Sequence, residues 1–307
     1  LEDIPIVNNT ASFNLGDKLA AGVYDAIVVF NGNQNYTETN TTVRFTVSKH
    51  DSNISASIAN ITYGVNATVT VNVTGVDGTD LSGNVTVTIE GISYNGTVGS
   101  NGIGNVNLGI LPVGNYTNVE VKYYGNNNYT GSNTTATFNI AKANSTIVGT
   151  IANITYGENA TVNVNVTGVL HEGLNGTVNI TVNNETHTVT LNNGVASVII
   201  SDLNAGNYTA LIKYMGNNNY LESNTNVNFT VRKHNSTTSV TIANITYNEN
   251  ATVNVNVTGI DNKGLNGTVN ITVNNQNYTV NLNNGVGSVI VPGLNAGNYT
   301  AEIKYMG

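Results

Sequence analysis

Residues 160–167 read Ala-Thr-Val-Asn-Val-Asn-Val-Thr, an unbroken alternation of apolar and polar side chains. Successive side chains of a β-strand point to opposite faces of a sheet. This spacing therefore predicts a strand with its valines in a core and its asparagines in water. Nearly the same stretch returns at residues 67–74 and 251–258. The alternation thus predicts both a half-buried strand and a repeated unit.

A tyrosine motif sets the length of that unit. The pattern Leu-x-x-Gly-x-Tyr, which we call the corner stretch, recurs every 91 to 92 residues and ends at Tyr24, Tyr116, Tyr208 and Tyr299. A unit of about 90 residues is long enough to close its own hydrophobic core. The repeat therefore predicts a string of domains rather than a thin solenoid.

The repeat also predicts the domain boundaries. The last residue, Gly307, aligns with Gly216, so the final unit lacks the segment that carries Phe229 in its neighbour. We expect a partial domain at 1–48, complete domains at 49–141 and 142–233, and a partial domain at 234–307 without its last strand.

Each complete unit reads as a series of short strands separated by turn residues, with no segment of helical period. In the third repeat, at 142–233, we expect about seven strands, at 149–151, 160–167, 178–182, 189–191, 196–200, 208–214 and 227–231. Seven short strands in a unit of this length are typical of an immunoglobulin-like sandwich. The fold class predicted is all-β: tandem immunoglobulin-like Greek-key sandwiches. The tyrosine of the corner stretch fits the tyrosine corner of such folds, in which the hydroxyl bonds back to main chain.

Composition excludes several partners. Charged residues make up 9% of the chain and the net charge is −8, so no basic patch is present to meet nucleic acid or an anionic membrane surface. No apolar run reaches the length of a membrane-spanning helix. Cysteine is absent, and no residue pattern calls for a cofactor. Asparagine supplies close to one residue in five in place of charge.

These motifs together resemble a known family. The order Asn-Ile-Thr-Tyr-Gly, Ala-Thr-Val-x-Val-x-Val-Thr-Gly, Leu-Asn-Gly-Thr-Val, corner stretch and Gly-Asn-x-Asn-Tyr resembles the group 3 bacterial immunoglobulin-like repeat. The asparagine and threonine content is similar to that of long adhesin-like surface proteins of methanogenic archaea, which carry such repeats as stalks. The resemblance implies an extracellular, cell-surface protein with a structural or adhesive role and no enzymatic activity.

The acceptor sequence for N-glycosylation, Asn-x-Ser/Thr, occurs nearly thirty times. A strand whose outward positions are Asn and Thr contains Asn-x-Thr as a matter of course, because residues two apart lie on one face. The number of acceptor sequences therefore also has a purely structural explanation. Acceptors in turns and linkers are the better candidates for covalent glycans: Asn115, Asn144, Asn175, Asn207, Asn235, Asn266 and Asn298.

Sites for catalysis or metal do not recur with the repeat. The histidines fall at different places in the units, at His50, His171, His187 and His234. Asp77 and Asp80 lie in one loop and offer oxygen ligands of the kind calcium prefers. The equivalent loops lack that pair, which weighs against a calcium site. No catalytic or metal-binding residue is therefore predicted.

Three further hypotheses concern individual side chains. A Lys–Asn isopeptide bond at Lys213 is disfavoured because strand parity places this lysine in water. Recurring Tyr36, Tyr129 and Tyr220 offer an aromatic platform for carbohydrate, although packing explains them equally well. The first repeat, at 1–48, has Val29 where the later repeats have lysine. This valine and Ile27 predict a small apolar strip.

The connections between units predict stiffness. Residues 232–237 read Arg-Lys-His-Asn-Ser-Thr without glycine or proline, unlike flexible linkers, so we expect an extended rod. Two functions follow. One is a surface stalk, whose adhesive ligand is bound by regions outside this chain. The other is a filament or sheath in which copies complete each other by strand donation across open sheet edges.

Overall fold

The computed structural model describes residues 4–16, 19–76 and 80–307. Within these ranges the regular structure is β-strand, apart from one 3₁₀ turn at Ile260–Asn262, and no α-helix occurs. The chain divides into two compact units. The first contains Leu1–Ser145, Gly168–Leu170 and Gly216–Leu221, and the second contains Thr146–Thr167, His171–Met215 and Glu222–Gly307.

The first unit opens with a two-stranded antiparallel ribbon. Its strands are β1 (Gly22–Phe30) and β2 (Thr39–Val47). Tyr24 lies opposite Phe45, and their rings stack with centroids 5.6 Å apart. Ile27 and Val29 are exposed on the other face of the ribbon, as the sequence predicts.

A complete sandwich follows in the first unit. Its strands are β3 (Asn53–Ile58), β4 (Ile61–Thr62), β5 (Ala67–Thr74), β6 (Gly83–Ile89), β7 (Ile92–Val98), β8 (Ile103–Gly109), β9 (Gly114–Tyr123) and β10 (Ser132–Ala141). One sheet has the order β3-β5-β8 and the other has the order β4-β10-β9-β6-β7. Non-sequential neighbours of this kind are the mark of an immunoglobulin-like Greek key.

The core of this sandwich lies where the alternation places it. The inward side chains of β5, from Ala67 to Val73, are buried and face Val121 and Tyr123 of the other sheet. The outward positions of β5 are exposed Thr and Asn. The hydrophobic effect therefore fixes the register of the strand, since a slip by one residue would expose every valine.

Strand β9 contains a bulge near the corner. Phe138 pairs with Tyr116, but Ala136 pairs with Val119, so the β9 side carries one more residue than the β10 side. The segment from Tyr116 to Tyr123 is one residue longer than the equivalent segment from Tyr208 to Tyr214, and the bulge accommodates that extra residue.

The second unit contains another sandwich of the same connectivity. Its strands are β11 (Thr146–Ile151), β12 (Ile154–Thr155), β13 (Ala160–Thr167), β14 (Gly176–Val182), β15 (Glu185–Leu191), β16 (Val195–Ile200), β17 (Gly206–Tyr214) and β18 (Ser223–Arg232). The sheets are β11-β13-β16 and β12-β18-β17-β14-β15. The very short β12 runs parallel to β18 and is an eighth strand beyond the seven predicted.

The remaining strands of the second unit form a further pair of sheets. They are β19 (Thr237–Ile242), β20 (Ala251–Thr258), β21 (Gly267–Val273), β22 (Gln276–Leu282), β23 (Val286–Val291) and β24 (Ala301–Tyr305). The sheets are β19-β20-β23 and β22-β21-β24, with a shared core that includes Val255 and Ile271.

The tightest turns use asparagine in the left-handed region. Asn183 and Asn184, between β14 and β15, have φ of 50° and 64°, which suits a type I′ hairpin. After β15, Asn193 has φ 49° and is followed by Gly194 at φ 83°. The N–H of Gly194 donates to Leu174 O at 3.1 Å. Left-handed turn positions are therefore one structural source of the asparagine content.

Hydroxyl–amide pairs connect neighbouring strands on the solvent face. They recur between equivalent strands of the repeats: Thr86 Oγ1 to Asn95 Oδ1 (3.0 Å), Thr188 Oγ1 to Asn179 Oδ1 (2.9 Å) and Thr279 Oγ1 to Asn270 Oδ1 (3.2 Å). Cross-strand pairs of this kind stabilise a sheet without any charge.

Candidate functional sites: corner tyrosines, acceptor asparagines and linkers

Each corner tyrosine donates its hydroxyl to the main-chain carbonyl four residues earlier. The bonds are Tyr24 to Ala20 (2.7 Å), Tyr116 to Pro112 (2.9 Å), Tyr208 to Asn204 (2.9 Å) and Tyr299 to Asn295 (3.1 Å). The strand that leaves the corner begins within two residues of this tyrosine, so the bond ties the loop to the start of the strand.

Burial of the corner tyrosine varies along the chain. Tyr116 is 7% exposed, and burial is the main reason that its phenol pKa is raised above the usual 10.0. Tyr208 is half-buried and Tyr299 is exposed. The same bond is therefore best shielded from water at Tyr116.

A second tyrosine, at the far end of the same strand, makes a hydroxyl bond that was not predicted from the sequence. Tyr123 donates to Leu81 O at 3.1 Å, Tyr214 to Asn175 O at 3.0 Å and Tyr305 to Asn266 O at 2.7 Å. Burial raises the phenol pKa of Tyr123 and of Tyr214. The repeat itself carried the signal, because these tyrosines recur with the corner ones.

The seven candidate acceptor asparagines are all exposed. Four of them accept a hydrogen bond at Oδ1: Asn115 from the Asn139 side chain, Asn175 from Asn193 N (3.2 Å), Asn207 from Thr230 Oγ1 (2.9 Å) and Asn266 from Asn284 N (2.9 Å). A glycan is attached through Nδ2, and these bonds engage the oxygen. Asn144, Asn235 and Asn298 are also exposed, the first two in linkers.

The structure gives little support to a site for metal or catalysis. Asp77 lies outside the described residues, and Asp80 Oδ1 accepts from Ser82 Oγ at 2.6 Å. Among the residues described, no three His, Asp or Glu side chains are grouped so as to hold a metal ion. The ring of His187 lies 3.7 Å from Glu185 on strand β15. His50 and His234 are exposed linker residues.

The exposure of the side chains involved bears on two hypotheses, the isopeptide bond at Lys213 and the aromatic platform for carbohydrate. Lys213 Nζ lies 2.8 Å from the exposed carboxylate of Glu222, a surface ion pair rather than a buried isopeptide precursor. Tyr129 and Tyr220 are each 2% exposed, so they are core residues and offer no platform for a sugar. Tyr36 alone of the three is open to solvent.

The ribbon of the first unit carries a further ion pair. Arg44 donates to both carboxylate oxygens of Asp25, at 2.8 and 3.0 Å. This hydrogen bond holds the pKa of Asp25 below its usual value. Both side chains are exposed, so the pair lies in screened solvent.

Two of the linkers are hydrogen-bonded to a turn, and the sequence did not predict that contact. We call residues 125–129 and 216–220, each Gly-Asn-Asn-Asn-Tyr, the asparagine turns. Lys49 Nζ donates to Asn126 O at 2.6 Å, and His50 N donates to Asn128 O at 2.9 Å. The first linker is therefore held to the turn by main chain and side chain.

The same bonds recur at the next linker, within the first unit. Lys142 Nζ donates to Asn217 O at 2.6 Å, and Ala143 N donates to Asn219 O at 3.0 Å. Lys49 and Lys142 occupy equivalent positions of the repeat, which is the signal that would have identified them from sequence.

Comparison with known proteins finds a family model that matches one repeat. The family model of the bacterial Ig-like domain (group 3) matches residues 147–232. A search of curated proteins finds no match to this chain. Among the described residues, no helix is long and apolar enough to cross a bilayer.

Several solved structures are similar in fold. One is a calcium-stabilised adhesin that helps an Antarctic bacterium bind ice, with 19% identity over 92% of this chain and 80% of that chain, and a TM-score of 0.32. Another is a multidomain fragment of titin, with 13% identity, coverage of 83% and 92%, and a TM-score of 0.40. Identities and TM-scores this low bear on neither activity nor ligand.

Proposed function

We propose that this chain is part of a non-enzymatic cell-surface stalk built of tandem immunoglobulin-like repeats. The supporting observation is that the side chains recurring with the repeat have partners inside the fold. The corner tyrosines bond to main chain, and the linker lysines bond to asparagine turns. The residues that would do chemistry, His and Asp, do not recur.

The stalk is the stiff, extended rod that the linkers predict, with domains at 1–48, 49–141, 142–233 and 234–307, and it belongs with adhesin-like surface proteins such as those of methanogenic archaea. Its adhesive ligand is bound by regions outside this chain. Small-angle scattering of the purified chain tests the rod, with an elongated monomer expected. Labelling of intact cells with an antibody to this chain tests its location. A protein reached only after lysis contradicts the surface assignment.

Glycosylation belongs to the same proposal. The exposure of all seven candidate asparagines supports it, and a glycan there would shield open sheet edges from pairing. The chain produced in its native host is expected to be heavier than the 32.2 kDa of its sequence. A mass equal to that of the sequence would rule glycans out.

The second candidate function is a filament or sheath in which copies of the chain associate by strand donation. Strand β15 lies at the edge of its sheet and pairs with β14 alone among the residues described, which leaves an edge able to accept a strand. Negative-stain images separate the two functions, because the filament predicts fibres and the stalk predicts single particles.

A further inference from the structure

Two motifs that recur with the repeat meet inside the first unit. The main-chain N–H of Ala21, in the first corner stretch, donates to Asn128 Oδ1 at 3.1 Å. The N–H of Val113, at the same place in the next corner stretch, donates to Asn219 Oδ1 at 3.3 Å. Asn128 and Asn219 are each the third asparagine of an asparagine turn. Each bond therefore joins a corner stretch to the turn that lies one repeat further along the chain.

The architecture of the turn explains why its third asparagine is available. The first asparagine, Asn126, holds the turn together, because its Oδ1 accepts from the N–H groups of Asn128 and Tyr129 at 2.9 and 3.0 Å. Its Nδ2 donates to Asp80 O at 2.7 Å. The Asn128 side chain is then free of the turn and reaches Ala21. Asn217 and Asn219 repeat this division of roles.

Apolar contacts accompany the second bond. The ring of Tyr220 meets Tyr63 edge to face, with centroids 5.4 Å apart and planes at 82°. The neighbouring Gly64 leaves room for Val169, since a Cβ on this glycine would lie 2.6 Å from Val169 Cγ2. These contacts are also one repeat apart, and they pack against the same first unit.

The second unit contains an equivalent apolar contact. A Cβ on Gly157 would lie 2.6 Å from Ile260 Cδ1, and Gly157 and Ile260 occupy the repeat positions of Gly64 and Val169. The pairing of a turn glycine with an apolar loop residue of the following repeat therefore occurs twice among the residues that the structure describes.

We propose that the corner stretches at Ala21 and Val113 are docking surfaces for the asparagine turn of the repeat that follows each of them, and that this docking couples the stability of consecutive repeats. The occupant is a segment of the same chain with the sequence Gly-Asn-x-Asn-Tyr. The proposal rests on the stalk function, in which coupled repeats resist tension as a series. In repeat proteins such neighbour terms add to the intrinsic stability of each repeat.

Hydrogen exchange of the intact chain, followed amide by amide by NMR, tests the docking. Ala205 and Ala296 occupy the position of Ala21 and Val113 in the remaining corner stretches, are exposed and have no hydrogen bond at N among the described residues. In the unmodified chain, the amides of Ala21 and Val113 are expected to exchange more slowly than those of Ala205 and Ala296.

Substitution then separates docking from general protection. Asn219→Ala is expected to speed exchange at Val113 about tenfold, the usual worth of one hydrogen bond. Asn218→Ala, an exposed neighbour in the same turn, is expected to leave Val113 unchanged. Asn219→Asp keeps an oxygen acceptor and is expected to retain the protection. A dispersed NMR spectrum, with the chemical shift of the buried Val121 unchanged, shows in each variant that the fold is intact.

Coupling between repeats is measured by the exchange rates of the slowest amides of residues 49–141. Asn219→Ala is expected to raise these rates, although the altered turn lies outside that range. Equal exchange of Val113 and Ala205 in the unmodified chain, or equal effects of Asn219→Ala and Asn218→Ala, would overturn docking. Asn128→Ala and Asn127→Ala, read at Ala21, repeat the test independently. Failure of docking leaves the surface assignment standing, because exchange rates do not depend on where the protein resides.

Discussion

The ring of Tyr116 stacks on the ring of Phe138, with centroids 4.9 Å apart and planes 14° from parallel, while its hydroxyl donates to Pro112 O. One side chain thus holds two neighbouring strands through its ring and the corner loop through its hydroxyl. Tyr208 repeats the stack with Phe229 at 5.5 Å. Because the ring and the hydroxyl contact different elements, mutation can separate their contributions.

Replacing the corner tyrosine with phenylalanine removes only the hydroxyl bond. Tyr116→Phe is expected to lower the free energy of unfolding by about 1 to 2 kcal/mol, because the Pro112 carbonyl loses its partner while partly buried. Tyr208→Phe is expected to cost less, since its bond is exposed. Thermal unfolding measures both, with the exposed Tyr36→Phe as control. Equal melting of the Tyr116 and Tyr36 variants would contradict a stabilising corner.

A pair of glycines tests the contact between Gly64 and Val169. Gly64 and Gly91 have φ of 94° and 81°, so alanine is strained at both, but a Cβ on Gly91 meets nothing within 4 Å. Gly64→Ala is expected to destabilise by about 1 to 3 kcal/mol more than Gly91→Ala, because it overpacks against Val169.

The double variant Gly64→Ala/Val169→Ala isolates that clash. Trimming Val169 is expected to remove most of the excess cost of Gly64→Ala. Denaturant unfolding of the unmodified chain, Gly64→Ala, Val169→Ala and the double variant would measure this as a coupling energy. Additive costs would show that Gly64 is required for its backbone conformation alone.

Alkaline pH is expected to weaken the fold through buried phenols. The pKa of Tyr123 and of Tyr214 is raised above 10.0 in the folded chain, chiefly by burial. The folded state therefore holds these protons more tightly than the unfolded chain. Their contribution is complete below pH 10 and is lost as pH rises through the folded pKa. Denaturant midpoints between pH 8 and 11 measure the loss, and a Tyr123→Phe variant is expected to show a shallower fall. A midpoint independent of pH across this range would contradict the burial of these hydroxyls.

Salt is expected to change the stability of the sheets little. The pairs across β14 and β15, such as Thr188 with Asn179, are neutral, and the surface ion pair Lys213–Glu222 is exposed. Melting temperatures in 0.05 M and 1 M sodium chloride are expected to agree within about 2 °C, since screening acts on charges. Thr188→Val is the matched change, which removes the hydroxyl and keeps the β-branch. It is expected to cost about 0.5 kcal/mol at either salt concentration. A melting temperature that falls steeply with salt would show that ion pairs carry the stability.

Strict alternation made strand β13 predictable to its ends, Ala160 and Thr167, because a half-buried strand leaves a period of two in the sequence. The strand β12 was missed, since two residues that pair in parallel carry no period. The bond between Val113 and Asn219 joins residues 106 positions apart, and its geometry exists only once both repeats are folded. The lysines at 49 and 142 were predictable in principle, because they follow the repeat as regularly as the tyrosines do.

The turn after β15 bears on how this chain ages chemically. In Asn-Gly sequences the deprotonated glycine nitrogen attacks the carbonyl carbon of the preceding asparagine side chain and expels ammonia. Water then opens the resulting succinimide ring and leaves an acid in place of the amide. Here the N–H of Gly194 is engaged by Leu174 O, and Asn193 is fixed with φ 49°, so the attack requires the hairpin to open. Nearly every fifth residue of this protein is asparagine, and the geometry of this turn protects Asn193 from loss of its amide. The chemical lifetime of the protein therefore depends on staying folded.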